Sequence, residues 1–247
     1  MDADLALALD LADVADGIAL PRFRALDLAV RTKPDRTPVT EADEAVERAI
    51  RERLAEERPH DAILGEEEGA TGSEPARRWI LDPIDGTRNY SRGIPVWFTL
   101  IGLEVGGRVE VGVASAPALG RRWWARLGDG AFANGEPIRV SAIATIEDAV
   151  VSFAASSRAR IEPVLQRAWH PQAYSDAWAH VLVAEGAVDA AVEDRLAPWD
   201  IAALVPIVAE AGGRATGVDG RPPLVGPGLV TTNGILHDAL LAELAAL

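Results

Sequence analysis

The sequence predicts a mixed α+β and α/β chain in two subdomains, an N-terminal α+β half over residues 1–141 and a C-terminal α/β half over 142–247. Three observations carry this reading. Amphipathic helical patterns open the chain, short apolar runs separated by glycine turns fill its middle, and strands alternate with helices from about residue 142. With 247 residues, 49% of them hydrophobic, the chain is long enough to bury a sizeable core.

The first element is a helix near residues 3–20. Leu7, Leu11, Val14 and Ile18 recur at helical spacing, with Asp10, Asp13 and Asp16 mostly on other faces, and Pro21 is expected to stop or bend it. RTKPDRTPVTEAD carries two prolines and reads as a loop or short hairpin. A second helix begins after Thr40, with Ala42, Val46, Ala49 and Ile50 as its buried stripe. Two apolar runs follow, Ala62-Ile63-Leu64 and Trp79-Ile80-Leu81, and each ends in acids. Such strands deliver carboxylates to a sheet edge, a common place for a ligand site. FTLIGLEV and RVEVGVASAP read as an antiparallel pair joined by Gly106-Gly107, and Arg121–Arg126 returns toward GDGAFANGEPI. In the second half AVVSF and Leu229–Thr232 read as strands, and Ala177–Gly186, Ile201–Ala211 and Ile235–Leu247 as helices.

Composition removes several functions. Lys+Arg 24 against Asp+Glu 38 gives a net charge of −14, so neither nucleic acid nor an anionic membrane surface is an expected partner. A negatively charged substrate therefore needs a local cation. The chain has no cysteine, which excludes disulfides, thiolate nucleophiles and Cys-bound zinc or iron–sulfur clusters and suits a reducing cytoplasm. The acidic N-terminus does not read as a secretory signal, and no apolar stretch is long enough to span a bilayer.

Four acids stand out: Glu66 in ILGEEEG, Asp82 and Asp85 in LDPIDGT, and Asp200 in APWDIAA. Carboxylates in a chain with no cysteine and four histidines favour a hard cation, Mg²⁺ or Mn²⁺, over zinc. Asp82 is placed to bridge two cations with Asp85 on the far side, Pro83 fixes the turn between them, and the Ile84 carbonyl is a further ligand. A pair of divalent ions is suited to hydrolysing a phosphate ester. A helix starting at Gly86-Thr87 would offer amides to phosphate oxygens, and the Thr87 hydroxyl would orient a water with Asp43 as proton acceptor. Each residue also has a plainer reading. Asp43 completes a capping box with Thr40, Asp200 suits any helix N-terminus, Thr87 suits an N-cap, and Glu68 belongs to a solvated run. His60, His170, His180 and His237 show no paired ligand spacing and read as surface or structural; Lys33 reads as a loop lysine with a weak claim on the site.

GEE, DPIDGTxN and WDxAA in this order, with TPVTEAD upstream and EAGG at 210–213, resemble the inositol monophosphatase family of metal-dependent phosphomonoesterases over nearly the whole chain. The resemblance implies a layered αβαβα fold, usually dimeric. It implies one magnesium on Glu66, Asp82 and the Ile84 carbonyl, a second on Asp82, Asp85 and Asp200, and a third, weaker ion sharing Glu66. It implies that Thr87 paired with Asp43 activates the attacking water and that the Gly86 and Thr87 amides receive the phosphate. Within the family, NYSRGIPVW, ASAPALGRRWWARLGDGAFANG and QAYSDAW resemble the bacterial histidinol-phosphate phosphatases. Asp176 lies where inositol-specific members carry a neutral run, and Glu193 matches a substrate-contacting glutamate. These two acids suit the cationic body of L-histidinol phosphate, whereas an inositol ring asks only for hydrogen bonds. Inositol 1-phosphate or another small monoester is the alternative substrate, and a non-catalytic binding relative the remote one. The D-x-D-G-T signature of enzymes that form an aspartyl phosphate is one residue shorter than the motif here, and the alternating ligand pattern of a calcium loop is missing.

Overall fold

The computed structural model describes residues 2–34, 36–72 and 76–245. Asp35 of the proline-rich loop and residues 246–247 of the expected last helix lie outside the described residues.

Helix α1 (Ala3–Arg22) is capped by Asp2, whose carboxylate accepts the amides of Asp4 and Leu5. It does not stop before Pro21. The proline stands in the last turn, where the carbonyl it deprives of a partner belongs to exposed Gly17. The buried stripe is richer in alanine than expected: Ala8, Ala12, Ala15 and Ala19 join Leu5, Leu7 and Leu11, while Val14 and Ile18 are half-buried. Strands β1 (Val30–Thr32) and β2 (Pro38–Thr40) make the short hairpin, antiparallel, and lead into α2 (Glu41–Glu57). On α2, Ala42, Val46, Ile50 and Leu54 are buried. So are Asp43, Glu47 and Arg51, three charged side chains that a core stripe alone would not include.

The central sheet follows: β3 (Ala62–Gly65), β4 (Gly69–Thr71), β5 (Arg77–Asp85), then helix α3 (Thr87–Ser91), and β6 (Phe98–Val105), β7 (Arg108–Ala116), β8 (Arg121–Arg126), β9 (Gly130–Ala133) and β10 (Glu136–Pro137). The strand order is β10-β9-β8-β7-β6-β5-β3-β4, antiparallel except for β3 beside β5. Both residues of the Gly106-Gly107 turn have positive φ, 57° and 82°, the demand that the tight β6–β7 hairpin makes.

The second half contributes β11 (Val150–Phe153), α4 (Arg158–Leu165), β12 (His170–Gln172), α5 (Asp176–Ala184), β13 (Ala190–Glu193), α6 (Pro198–Ala202), α7 (Leu204–Glu210), β14 (Arg214–Thr216), β15 (Leu229–Thr232) and α8 (His237–Ala245). Its sheet runs β12-β11-β13-β15-β14, with β11 parallel to both neighbours and β15 antiparallel to both of its own. The single helix expected over 201–211 is two, α6 and α7, meeting at Ala203.

The layers are αβαβα. Helices α1 and α2 cover one face of the large sheet through Trp79, Leu81, Ile101, Leu103, Val111 and Val113. Helices α5, α6 and α7 fill the space between the sheets, against Phe98, Leu100, Ala114 and Trp123. Helices α4 and α8 close the far face of the small sheet over Val151, Phe153, Val192 and Val230. Alternate residues of β6 serve the two faces of its sheet, as the pleat requires. No helix among the described residues is long and apolar enough to cross a membrane.

One contact between layers sets the position of α6. Gly102 and Gly112 pair across β6 and β7, and a Cβ on either would collide with the α6–α7 junction, 2.8 Å from Ala202 Cβ and 2.0 Å from the Ala203 carbonyl oxygen. Two glycines therefore make a trough that lets the helix backbone rest directly on the sheet.

Candidate active site

Asp82 and Asp85 are three residues apart on one strand, and in regular pleating their side chains would point to opposite faces. The register prevents that. Asp82 pairs with Leu100 and Asp85 with Phe98, so β5 spends one extra residue against β6. This β-bulge brings both carboxylates to the face that looks toward the middle helices. The Thr99 hydroxyl donates to the Pro83 carbonyl at 2.8 Å and fastens the bulge. A bulge inside the strand, rather than a turn after it, is thus what aligns the pair.

Asp200 arrives from α6, where its Oδ2 accepts the Ala197 amide at 2.7 Å. Asp85 Oδ2 accepts the Ala177 amide of α5, also at 2.7 Å. The end of β5 and the first turns of α5 and α6 therefore meet, and oxygens of Asp82, Asp85 and Asp200 all lie within 4.8 Å of one another. Burial raises Asp82 well above the ordinary carboxylate range, and the charges of Glu66, Asp85 and Asp200 raise it further. Asp85 is raised likewise by burial and then by Asp176 and Asp200, and burial first of all lifts Asp200 to about 6. Asp82 Oδ1 is buried with no hydrogen-bond partner. An all-oxygen group of converging acids with an orphaned buried oxygen fits a hard divalent cation.

Glu66 stands at the end of β3, outside the tight group of three, and its carboxylate takes the Lys33 ammonium at 2.8 Å. Lys33 also reaches Glu67 at 2.6 Å. The turn that carries these acids is built from beneath. Buried Glu47 accepts the amides of Glu67 and Glu68 at 2.7 and 3.0 Å and pairs with Arg51 at 2.8 Å. A Cβ at Gly65 would fall 2.0 Å from Glu47 Oε1, so glycine is required for the carboxylate to enter.

Asp43 holds both of its possible roles. Its Oδ2 accepts the amide and hydroxyl of Thr40 at 2.8 and 2.5 Å, closing the capping box, while Oδ1 faces the Thr87 hydroxyl at 3.1 Å. Burial raises Asp43 to about 6. The Thr87 hydroxyl has one proton and two acceptors in reach, Asp43 and the Ile84 carbonyl at 2.9 Å. Gly86 precedes α3 with φ 80°, a left-handed conformation that suits glycine.

Asp176 and Glu193 border the group from the second half. Asp176 Oδ2 lies 3.6 Å from where a Gly86 Cβ would stand, and Asp176 itself takes φ 59° at the start of α5. Burial raises Asp176 above its usual range. Glu193, at the end of β13, is raised well above its own by burial, then by Asp176 and Asp200.

Several supporting residues are invisible in the motifs. Gly102 and Gly112 seat Asp200, Thr99 fastens the bulge, and Glu47 with Arg51 holds the Glu66 turn. An isolated glycine inside each of two strands was the available signal for the first pair. Glu47 and Arg51 look like any solvent-facing i,i+4 pair.

A profile of the inositol monophosphatase family matches residues 2–247. The chain is 49% identical to a histidinol-phosphatase of Mycobacterium tuberculosis, covering 98% of each, and 48% identical to one of Streptomyces coelicolor, covering 98% of this chain and 96% of the relative. Its backbone matches the solved structure of a Thermotoga maritima IMPase with a TM-score of 0.90 at 32% identity, over 99% of this chain and 98% of that one. This chain belongs to the inositol monophosphatase family.

Proposed function

We propose that the protein is a Mg²⁺-dependent phosphomonoesterase whose substrate is L-histidinol phosphate, hydrolysed to L-histidinol and phosphate. The observation that carries the chemistry is the convergence of Asp82, Asp85 and Asp200 beside the Thr87–Asp43 pair. Glu66, Asp82 and the Ile84 carbonyl would hold one magnesium and Asp82, Asp85 and Asp200 a second, with a third sharing Glu66; manganese is an acceptable substitute. When bound, magnesium polarises the phosphate and a water and offsets the charge that leaves with the alcohol oxygen. The protein's own part is positioning and proton handling. Thr87 Oγ1 orients the water, and Asp43 Oδ1 takes the proton relayed through that hydroxyl. Amides at Gly86 and Thr87 receive phosphate oxygens.

The choice of substrate rests on two acids beyond the metal group. Asp176 and Glu193 border it; Arg88 acts on Asp176 electrostatically, but among the described residues no cation of the chain closes an ion pair with either carboxylate, apart from neutral-prone His180. An ammonium group on the substrate would supply that charge, and the relatives named histidinol-phosphatase agree with this direction. A homodimeric state and a cytoplasmic location are part of the same reading; the first rests on the family resemblance, the second on the cysteine-free composition and the acidic N-terminus. The division into units 1–141 and 142–247 is likewise proposed, supported by each large sheet being built within one of them.

The deciding experiment is kcat/KM for L-histidinol phosphate, inositol 1-phosphate and glycerol 2-phosphate in Mg²⁺. Preference for the first, lost on Asp176→Ala through a rise in KM, supports the reading. Equal turnover of all three makes the protein a broad monoesterase, and no turnover of any makes it a binding protein.

A further inference from the structure

Helix α5 is apolar except at its ends, yet it carries His180 fully buried between Ala179 and Val181. A buried imidazole has two nitrogens to satisfy. Nδ1 lies 2.8 Å from the Thr231 hydroxyl on β15. Nε2 has no hydrogen-bond partner, and neither has Glu193 Oε1; the two orphaned atoms face each other at 3.7 Å. N–H···O bonds close at about 2.7–3.2 Å, so a small shift of the Glu193 side chain would join them. Burial keeps the ring neutral by pushing its pKa down to about 3, so it holds one proton. With Glu193 ionised, one arrangement satisfies both orphans: the Thr231 hydroxyl donates to Nδ1, and the ring proton sits on Nε2, aimed at Glu193.

We propose that His180 is a positioning residue that holds Glu193 as an ionised acceptor for the ammonium group of the substrate. This rests on the reading that Glu193 faces the substrate. A neutral N–H donor is suited to the task. It stabilises the carboxylate when the ammonium arrives, whereas an arginine or lysine in its place would neutralise Glu193 and repel the amine. Thr231 meets the ring from the opposite side, its hydroxyl able to donate to Nδ1, so three elements, α5, β13 and β15, set one carboxylate.

The test pairs His180→Leu, which removes the donor, with His180→Gln, which keeps an N–H at comparable reach. The readout is the ratio of kcat/KM for L-histidinol phosphate to that for glycerol 2-phosphate, in Mg²⁺. The leucine variant is expected to lower this ratio about tenfold through KM, the worth of a hydrogen bond to a charged group, and the glutamine variant to restore most of it. Equal loss for both esters, or an unchanged ratio, overturns the proposal. Nitrogen-15 NMR of the wild-type ring gives a readout independent of turnover. A protonated Nε2 with bare Nδ1, and an Nε2–H resonance that moves on Glu193→Gln, support it; an Nδ1–H tautomer overturns it. If the wild type shows no preference for the amine ester, the substrate reading fails, and the NMR result alone decides the His180–Glu193 link. Should His180→Leu not fold, the glutamine variant and the wild-type spectrum decide.

Discussion

Two acidic regions lie side by side in this protein, and they are neutralised in opposite ways. At the 65–68 turn the chain brings its own cations: Arg51 pairs with buried Glu47, and Lys33 with Glu66 and Glu67. At the end of β5, Asp82, Asp85 and Asp200 converge with no lysine or arginine ion pair among the described residues. Like charges this close in a buried site oppose one another's ionisation. In the first region Glu47 and Glu67 are matched from within the chain, and Glu66, held by Lys33, stands at the border with the metal group; the second region is complete only with a cation from outside. The difference separates acids that build the scaffold from acids that await a ligand, a separation that counting acidic residues along the sequence does not make.

The largest expected effect that sharpens this contrast is on turnover. Asp85→Asn should lower kcat on the order of 10³-fold, since Lewis-acid stabilisation is worth several kcal/mol. Its thermal midpoint without metal should equal or exceed that of the wild type, because one repelling charge is gone. Loss of the fold in Asp85→Asn while metal-free wild type stays folded would mean that both acidic regions are structural.

The opposite pattern is expected at the scaffold. Arg51→Met leaves Glu47 buried and unpaired, and should cost about 3–5 kcal/mol in urea unfolding whether or not metal is present. A next smaller effect is expected at the trough beneath Asp200. Gly102→Val overpacks the α6 contact, with a cost of about 1–3 kcal/mol, and should also weaken Mg²⁺ binding measured by calorimetry. Unchanged Mg²⁺ affinity in that variant would separate the trough from the site.

The smallest effect is the pH dependence of the stability that metal confers. Asp43 and Asp200 have folded pKa values raised to about 6 without metal. A raised folded pKa gives the metal-free protein stability that is fully present below the unfolded value, near 4, and is lost as pH rises through 6. Protons and Mg²⁺ compete for the same oxygens. The rise in thermal midpoint on adding Mg²⁺ should therefore grow from pH 5 to pH 7.5. His180 and His237, depressed to about 3 and about 4, act in the other direction, favouring the fold above pH 6.5, but they do so with and without metal and cancel in the difference. A metal-induced shift that is flat over this range would mean that the acids are ionised already and that burial does not hold their protons.

Much of the fold was legible because its signals are local. The Gly106-Gly107 hairpin, the Thr40 cap and the β6 alternation depend on neighbours a few residues away. The same is true of the order in which Glu66, Asp82, Asp85, Thr87 and Asp200 occur. The errors arose where distant segments overrule local preference. Pro21 is accommodated in a last helical turn, the alanines of α1 rather than Val14 and Ile18 face the core, and the 201–211 helix is split where it meets two glycines of another layer.

By itself the sequence determined which chemistry is available: no thiols, an excess of acid, and carboxylates placed at strand ends and helix starts. Only the tertiary structure decided which of those acids act together. A bulge of one residue turns Asp85 to the side of Asp82, a glycine trough lowers Asp200 onto them, and Arg51 removes Glu47 from the group. The physical reason is distance. Coulomb and desolvation terms depend on ångströms through the folded interior, and residues 82 and 200 acquire that separation only when the layers close.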